Sequence, residues 1–324
     1  MTVLQTADLQ TTGPRTSDLR TCLHGLWLPL VTPFRNGELD EASLRRLVRH
    51  YAALPVDGLI LAATTGEGLT LEPEETERLA FTVRDEITRA GSPLAVCLGL
   101  SGSNTWALLR TLQRTAPWPI DGYLISCPYY SRPSQLGLER HFSTLADRAA
   151  HPVMLYNIPY RTGVNLGNEA MLRLADHPNI VGLKDCSADR GQSADLLRRR
   201  RAGFAVLTGE DTQYHEALVD GADGAILASA HIETEAFARI HQLAAAGDRD
   251  AALSQWRSVA DLTRLLFSEP SPAPIKHWLW RTGLIDSAEV RLPMTEVSAG
   301  LAAALDREIE QRTALSAADK TATG

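Results

Sequence analysis

The 324-residue chain has only four cysteines, Cys22, Cys97, Cys127 and Cys186, and none of them stands in a CxxC pair. No zinc framework is signalled by that spacing. Cys97 and Cys127 fall inside predicted strands and Cys186 directly follows one, positions where a reduced thiol packs as a small hydrophobe. The pattern suits a reducing cytosol, and a cytoplasmic location is expected. Basic runs are missing too, apart from Arg198 to Arg201 at the end of a predicted helix, where cations suit the dipole. With a net charge of −7 and a pI near 5.7, the chain is not expected to bind nucleic acid. Apolar runs of membrane-spanning length are absent, so no membrane partner is expected. The first eight residues build no apolar core and do not read as a signal peptide. A GxGxxG fingerprint after the first strand is lacking, which argues against an open dinucleotide-binding sheet.

What the chain does have is alternation. Short apolar runs at 26–32, 58–63, 94–100, 122–127, 153–158, 180–185, 204–208 and 224–228 read as buried, parallel-type strands. A helical pattern follows each one. The helix after the first strand is capped by Asp40, with Leu44, Leu47, Val48 and Tyr51 on one stripe. Pro73 sits in the first turn of the next. Eight such units predict an α/β fold, a closed (β/α)8 TIM barrel. From about Thr234 to Arg312 the pattern is helical only, broken at Gly247-Asp248 and Pro270 to Pro274. The expected organisation is a flexible arm at 1–21, the barrel at 22–232, a C-terminal helical appendix at 233–312 and a flexible tail at 313–324.

A barrel of this kind places its chemistry at the carboxyl ends of the strands. Those ends carry Thr64, Thr65, Gly66 and Glu67; Tyr129 and Tyr130; Tyr156 and Asn157, with Arg161 beyond; Lys184 and Asp185; and Gly209, Glu210 and Asp211. The set holds one amine, several phenols, a threonine pair and one guanidinium. It holds no His/Asp/Glu metal triad and no phosphate loop, so no metal is expected. Each member also has an ordinary structural use: a snorkelling lysine, a barrel-layer tyrosine, a turn, a surface arginine, a helix start. Their coincidence at matching strand ends favours carbonyl chemistry through a Schiff base on Lys184. A free lysine amine, with a pKa near 10.4, is neutral about once in a few thousand molecules at pH 7. Lowering that pKa by roughly 3 units makes it a usable nucleophile, at a cost of about 4 kcal/mol that desolvation can impose. Tyr156, one strand away, can then shuttle protons. A threonine and neighbouring backbone N–H groups suit a carboxylate.

Three ordered motifs carry a family resemblance. Ala63-Thr64-Thr65-Gly66-Glu67 resembles a GTTGE turn, Tyr156 to Gly163 a YNxPxRTG segment, and Gly182-Leu183-Lys184-Asp185 a GxKD/E lysine strand. From about residue 23 to 312 the chain is similar to the dihydrodipicolinate synthase and N-acetylneuraminate lyase family of pyruvate-dependent class I aldolases. The resemblance implies that Lys184 forms an imine with pyruvate and that Tyr156 relays protons with Thr64 and Tyr130, the latter supplied by a neighbouring subunit. It implies that Thr65, beside Gly66, holds the pyruvate carboxylate and that Arg161 binds the carboxylate of the second substrate. It further implies that Ile226 lines the pocket through its backbone carbonyl, and that Gly209 lies at the substrate site. No cofactor beyond the covalent imine is implied. The implied partners are a small keto acid, an aldehyde and further copies of the chain, as a homodimer or homotetramer.

Arg161 selects among family reactions. A guanidinium fork matches a second carboxylate, so the expected reaction condenses pyruvate with L-aspartate 4-semialdehyde, on the route to diaminopimelate and lysine. Departures from the pattern keep two alternatives open. Tyr160 is large for its position, Asp185-Cys186-Ser187 follows the lysine, and the turn opens with Ala63. These features leave room for a lyase or dehydratase of a 2-keto-3-deoxy acid. A non-catalytic barrel that only binds is the remote alternative. Gly68, Leu69, Pro73 and Thr76 stand where lysine-inhibited relatives carry histidines and a serine, so weak or no inhibition by L-lysine is expected.

Overall fold

In the computed structural model, residues 19–322 are described. Eight parallel strands close into a barrel: β1 (Gly25–Pro29), β4 (Gly58–Leu61), β5 (Ala95–Leu100), β6 (Gly122–Ser126), β7 (Val153–Asn157), β8 (Ile180–Asp185), β9 (Ala205–Thr208) and β10 (Gly224–Ile226). The ring shuts where β1 pairs with β10, Gly25 opposite Gly224. Each strand is buried on both faces, as the continuous apolar runs require.

The expected strand ends are trimmed for identifiable reasons. The first run reads as a strand to residue 32, yet β1 stops at Pro29 because Val31 N–H turns out of the ladder to donate to His231 Nε2 at 3.3 Å. A two-stranded hairpin, β2 (Phe34–Arg35) with β3 (Glu38–Leu39), then fills what the sequence pattern leaves as loop. The helix expected from residue 212 starts instead as a 3-10 turn over Asp211–Gln213. Asp211 is turned away to accept from Ser229 N–H at 2.7 Å and Ser229 Oγ at 2.6 Å.

The helices form where their caps say they should. α2 (Glu41–Ala52) begins where the Asp40 carboxylate accepts from Ser43 N–H, and it buries Leu44, Leu47, Val48 and Tyr51. In α3 (Pro73–Arg89), Glu72 and Glu75 form a reciprocal capping box. Two cores result. The larger lies between the strands and the outer helices, and includes Leu28, Leu59, Leu98 and Ile125. The smaller fills the barrel itself with Trp27, Ile60, Cys97, Leu124, Met154, Leu207 and Ile226.

After β10 the chain runs through α10 (Thr234–Ala245), α11 (Arg249–Leu266), α12 (Ala273–Arg281) and α13 (Ala299–Ala322). The expected tail at 313–324 is mostly helix here, because α13 continues to Ala322. Of the expected arm at 1–21, residues 1–18 lie outside the described residues. Leu19 is fully buried and plugs the lower barrel, where a Cβ on Gly122 would meet its Cδ2 at 2.3 Å. Among the described residues no helix is long and apolar enough to cross a membrane.

Candidate active site

Sheet register sets the centre of the site. β7 and β8 pair with Tyr156 opposite Lys184 and Asn157 opposite Asp185. Both Tyr156 and Lys184 are buried, and Lys184 Nζ lies 4.6 Å from the Tyr156 ring centroid. Gly209 makes room for them, since a Cβ there would stand 2.3 Å from Lys184 Cε and 2.5 Å from Cys186 Sγ. The Thr64 side chain stands close enough to the Tyr156 phenol to offset part of the effect of burial on it.

Burial dominates the electrostatics. Desolvation pushes the Lys184 amine below its usual range, with Arg161 acting in the same direction and Asp211 and Glu210 opposing it. Cys186 does not restore the charge, because burial pushes its thiol up to about 12 and leaves it neutral. The Tyr156 phenol is raised well above its ordinary value, chiefly by burial. Among the described residues Lys184 is in no ion pair. The centre is therefore a poorly hydrated amine facing a neutral phenol, an arrangement suited to nucleophilic attack and proton relay rather than to charge pairing.

The Thr64-Thr65 turn is held from below and behind. Thr32 Oγ1 donates to Gly66 O at 2.7 Å, and Glu67 N–H donates to Thr64 O at 3.1 Å. Gly66 has no space for a side chain, because a Cβ would come within 2.8 Å of Leu30 O. Thr65 is buried and Thr64 is exposed to the cavity. Glu67 adopts a left-handed backbone, with φ of 52°, and sends its carboxylate away from the barrel axis to Lys276.

Arg161 sits in α6 (Pro159–Thr162), a single turn closed by Gly163 at φ 75°. Asn157 fastens the following loop by accepting from Leu166 N–H at 3.0 Å and donating to Asn165 Oδ1 at 2.8 Å. The Arg161 guanidinium lies 5.4 Å from the Tyr160 ring centroid, and its charge offsets part of the rise that burial gives the Tyr160 phenol. A cavity of about 770 Å³ opens here. Its wall includes Thr64, Tyr130, Tyr156, Tyr160 and Arg161, while Lys184, Thr65, Gly66, Gly209 and Ile226 lie off it. Tyr156 thus links wall to lysine. Ile226 points its side chain into the fully buried barrel core. Tyr130 is 93% exposed, with φ of 68° and its N–H donating to Thr162 O. Within one chain it does not reach the Tyr156–Thr64 pair as a buried partner.

A family model described as the dihydrodipicolinate synthetase family matches residues 22–312. The chain belongs to that family. Over 286 residues it is 40% identical to 4-hydroxy-tetrahydrodipicolinate synthase 2 of Clostridium acetobutylicum, covering 88% of this chain and 99% of the relative. The corresponding synthase of Chlorobium phaeovibrioides is 38% identical over 278 residues, 85% of this chain and 93% of the relative. The crystal structure of dihydrodipicolinate synthase from Thermotoga maritima superposes with a TM-score of 0.86 at 30% identity, covering 90% of this chain and 98% of that one. Like the family's enzymes, this chain is a lyase of the class I aldolase type acting on small molecules.

In this family member, sequence reasoning overlooks Lys276 and Ser271. Lys276 lies in the first turn of α12 and Ser271 just before that helix, both remote in sequence from every strand end. Ser271 lines the cavity, and its buried hydroxyl has no protein partner. The one signal available is the break at Pro270 to Pro274, which marks where the chain turns back towards the barrel mouth. Among the described residues no group of three or more His, Cys, Asp or Glu side chains is placed to hold a metal ion.

Proposed function

We propose that this family member is a 4-hydroxy-tetrahydrodipicolinate synthase, condensing pyruvate with L-aspartate 4-semialdehyde. The observation that carries the reading is the pairing of Tyr156 with Lys184 beneath a cavity whose mouth holds an Arg161 free of any carboxylate among the described residues. Lys184 attacks the pyruvate carbonyl as the neutral amine. The resulting carbinolamine loses water to give the imine, and the phenol of Tyr156 carries the protons. Loss of a methyl proton gives the enamine, which bonds to the aldehyde carbon of the second substrate. The amine of that substrate then displaces Lys184 from the imine carbon and closes the ring. Thr64, whose side chain lowers the phenol of Tyr156 against the effect of burial, extends the relay. Thr65 and Gly66 take the pyruvate carboxylate, and Gly209 and the Ile226 carbonyl border the imine. Arg161 takes the carboxylate of the semialdehyde through paired N–H donors.

The relay has a further member in Tyr130. Its exposure fits a phenol that a second copy of the chain inserts beside Thr64, so the working unit is at least a dimer. The test is direct. Purified protein is given pyruvate with L-aspartate 4-semialdehyde, and separately a panel of 2-keto-3-deoxy acids. Faster turnover of the semialdehyde is expected; faster cleavage or dehydration of the panel would assign the chain to another branch of the family. Borohydride with pyruvate should add the reduced keto-acid mass to Lys184, and Lys184→Ala should abolish it.

A further inference from the structure

We propose that Lys276 is a positioning residue for the Thr64-Thr65 turn, acting from the C-terminal helical region through the carboxylate of Glu67. The inference rests on the synthase reading above for its choice of substrate only. The contacts are specific. Lys276 Nζ donates to Glu67 Oε1 at 2.5 Å and to Glu289 O at 2.8 Å. The other oxygen of Glu67 accepts from Arg291 N–H at 2.8 Å. Both partners of the pair are almost completely shielded, Lys276 at 0% and Glu67 at 5% exposure.

A buried ion pair of this sort is a poor way to gain stability, because desolvating two charges consumes most of what their attraction returns. What it does well is fix geometry. Glu67 is the last residue of the turn that carries both threonines, and its N–H is bonded to Thr64 O. Its backbone is left-handed, and the next residue has no latitude: a Cβ on Gly68 would overlap Ala62 O at 1.8 Å. Thr32 fixes Gly66 O from below. The carboxylate is the remaining handle on the turn, and two groups from the distant end of the chain hold it. A change at Nζ is transmitted through Glu67 to Thr64, whose carbonyl it binds and whose side chain acts on the Tyr156 phenol, and to Thr65 beside it.

Lys276 is itself held in one place. Its Nζ lies 4.3 Å from the Phe34 ring centroid, and the Arg291 guanidinium lies 4.1 Å from the same ring. The charged groups facing it are Glu67 and Glu289, which favour its ammonium, and Arg291, which opposes it. Burial outweighs them and lowers the amine to about 8. The clamp therefore weakens in mildly alkaline solution, which gives a readout that a merely structural role would not move.

The experiment uses the full chain and counts active sites by borohydride trapping of pyruvate on Lys184. Lys276→Met and Glu67→Gln should each raise KM for pyruvate and lower kcat per trappable site, together by about 10-fold or more in kcat/KM. The double variant should be no worse than the poorer single one, because both act on one path. In the wild type, KM for pyruvate should climb above pH 8. In Lys276→Arg, whose side chain stays charged, activity should largely return and that climb should vanish. Wild-type kinetics per trappable site in Lys276→Met or Glu67→Gln would overturn the proposal, as would multiplied losses in the double variant. Should Lys276→Met fail to fold, the near-isosteric Glu67→Gln decides by the same readouts. A wild type that traps no pyruvate overturns the synthase reading instead, so the two failures are distinct.

Discussion

A lysine amine that is to attack a carbonyl must spend time uncharged, and Lys184 has little water around it to hold the extra proton. Its depressed pKa comes first from burial and only then from Arg161. The Tyr156 ring supports it from 4.6 Å away, while the phenol is kept protonated by the same burial. Tyr156→Phe preserves the ring and removes the relay. Turnover should fall by about 10²- to 10⁴-fold, while the reduced pyruvate adduct still accumulates on Lys184 over long incubation. An unaltered kcat in that variant would remove Tyr156 from the chemistry. Arg161 works on the other substrate. Loss of charge-assisted hydrogen bonds costs roughly 1.5–3 kcal/mol, so Arg161→Ala should raise KM for the semialdehyde by about 10- to 100-fold. Pyruvate trapping should stay at the wild-type rate. Steady-state kinetics with each substrate varied in turn separates the two effects.

At the scale of the element, β8 shows both what a sequence pattern reveals and what it conceals. Its limits, Ile180 to Asp185, are legible because a Pro178-Asn179 turn precedes an apolar run that ends in polar residues. Its aim is not. Val181 lies in the barrel interior and Leu183 in the outer core. Strict alternation would place these two on one face. The register jumps here, with Val153 opposite Ile180 but Met154 opposite Gly182. That bulge re-aims the strand, so that Lys184 faces inward beside Tyr156. The strand-end motifs were legible because each is local in sequence. The Lys276–Glu67 contact was not, because it joins residues 209 positions apart. Asp211 offers a test at this scale. It is buried, accepts two hydrogen bonds from Ser229 through one oxygen, and is raised from 3.8 to about 6 by burial. The folded chain therefore holds a proton on Asp211 between about pH 4 and 6 that the unfolded chain has shed. Folded-state stability falls as pH rises through that window. Asp211→Asn can keep both Ser229 contacts without the buried charge. It should stabilise the fold at pH 7 by on the order of 1–3 kcal/mol and flatten the pH dependence between pH 4 and 6. Denaturant melts at several pH values check both, and a less stable variant at pH 7 would contradict the account.

Over the whole molecule, the C-terminal helices do more than cover the barrel. They return the chain to its mouth, where Ser271, Pro272, Pro293 and Met294 complete a cavity begun by the strand-end loops. The charges on that wall are lopsided. Arg114, Arg132 and Arg161 are on it, and Glu67 is its single carboxylate. Both oxygens of Glu67 are already committed, one to Lys276 and one to Arg291 N–H. Gly68, Leu69, Pro73 and Thr76 line the wall next to it and offer no negative charge. A ligand bringing two ammonium groups would have to shed their water against guanidinium groups and leucine, without a counter-charge, which is strongly unfavourable. L-lysine should therefore fail to half-inhibit the enzyme at concentrations below about a millimolar. Initial rates at fixed pyruvate and semialdehyde, with lysine titrated upward, measure this directly. The same wall favours anions, so the substrates, each bearing a carboxylate, should bind less well as salt rises and screens the three arginines. Sub-millimolar inhibition by lysine would require a carboxylate from outside this wall, and would place the effector site on a surface that a single chain does not build.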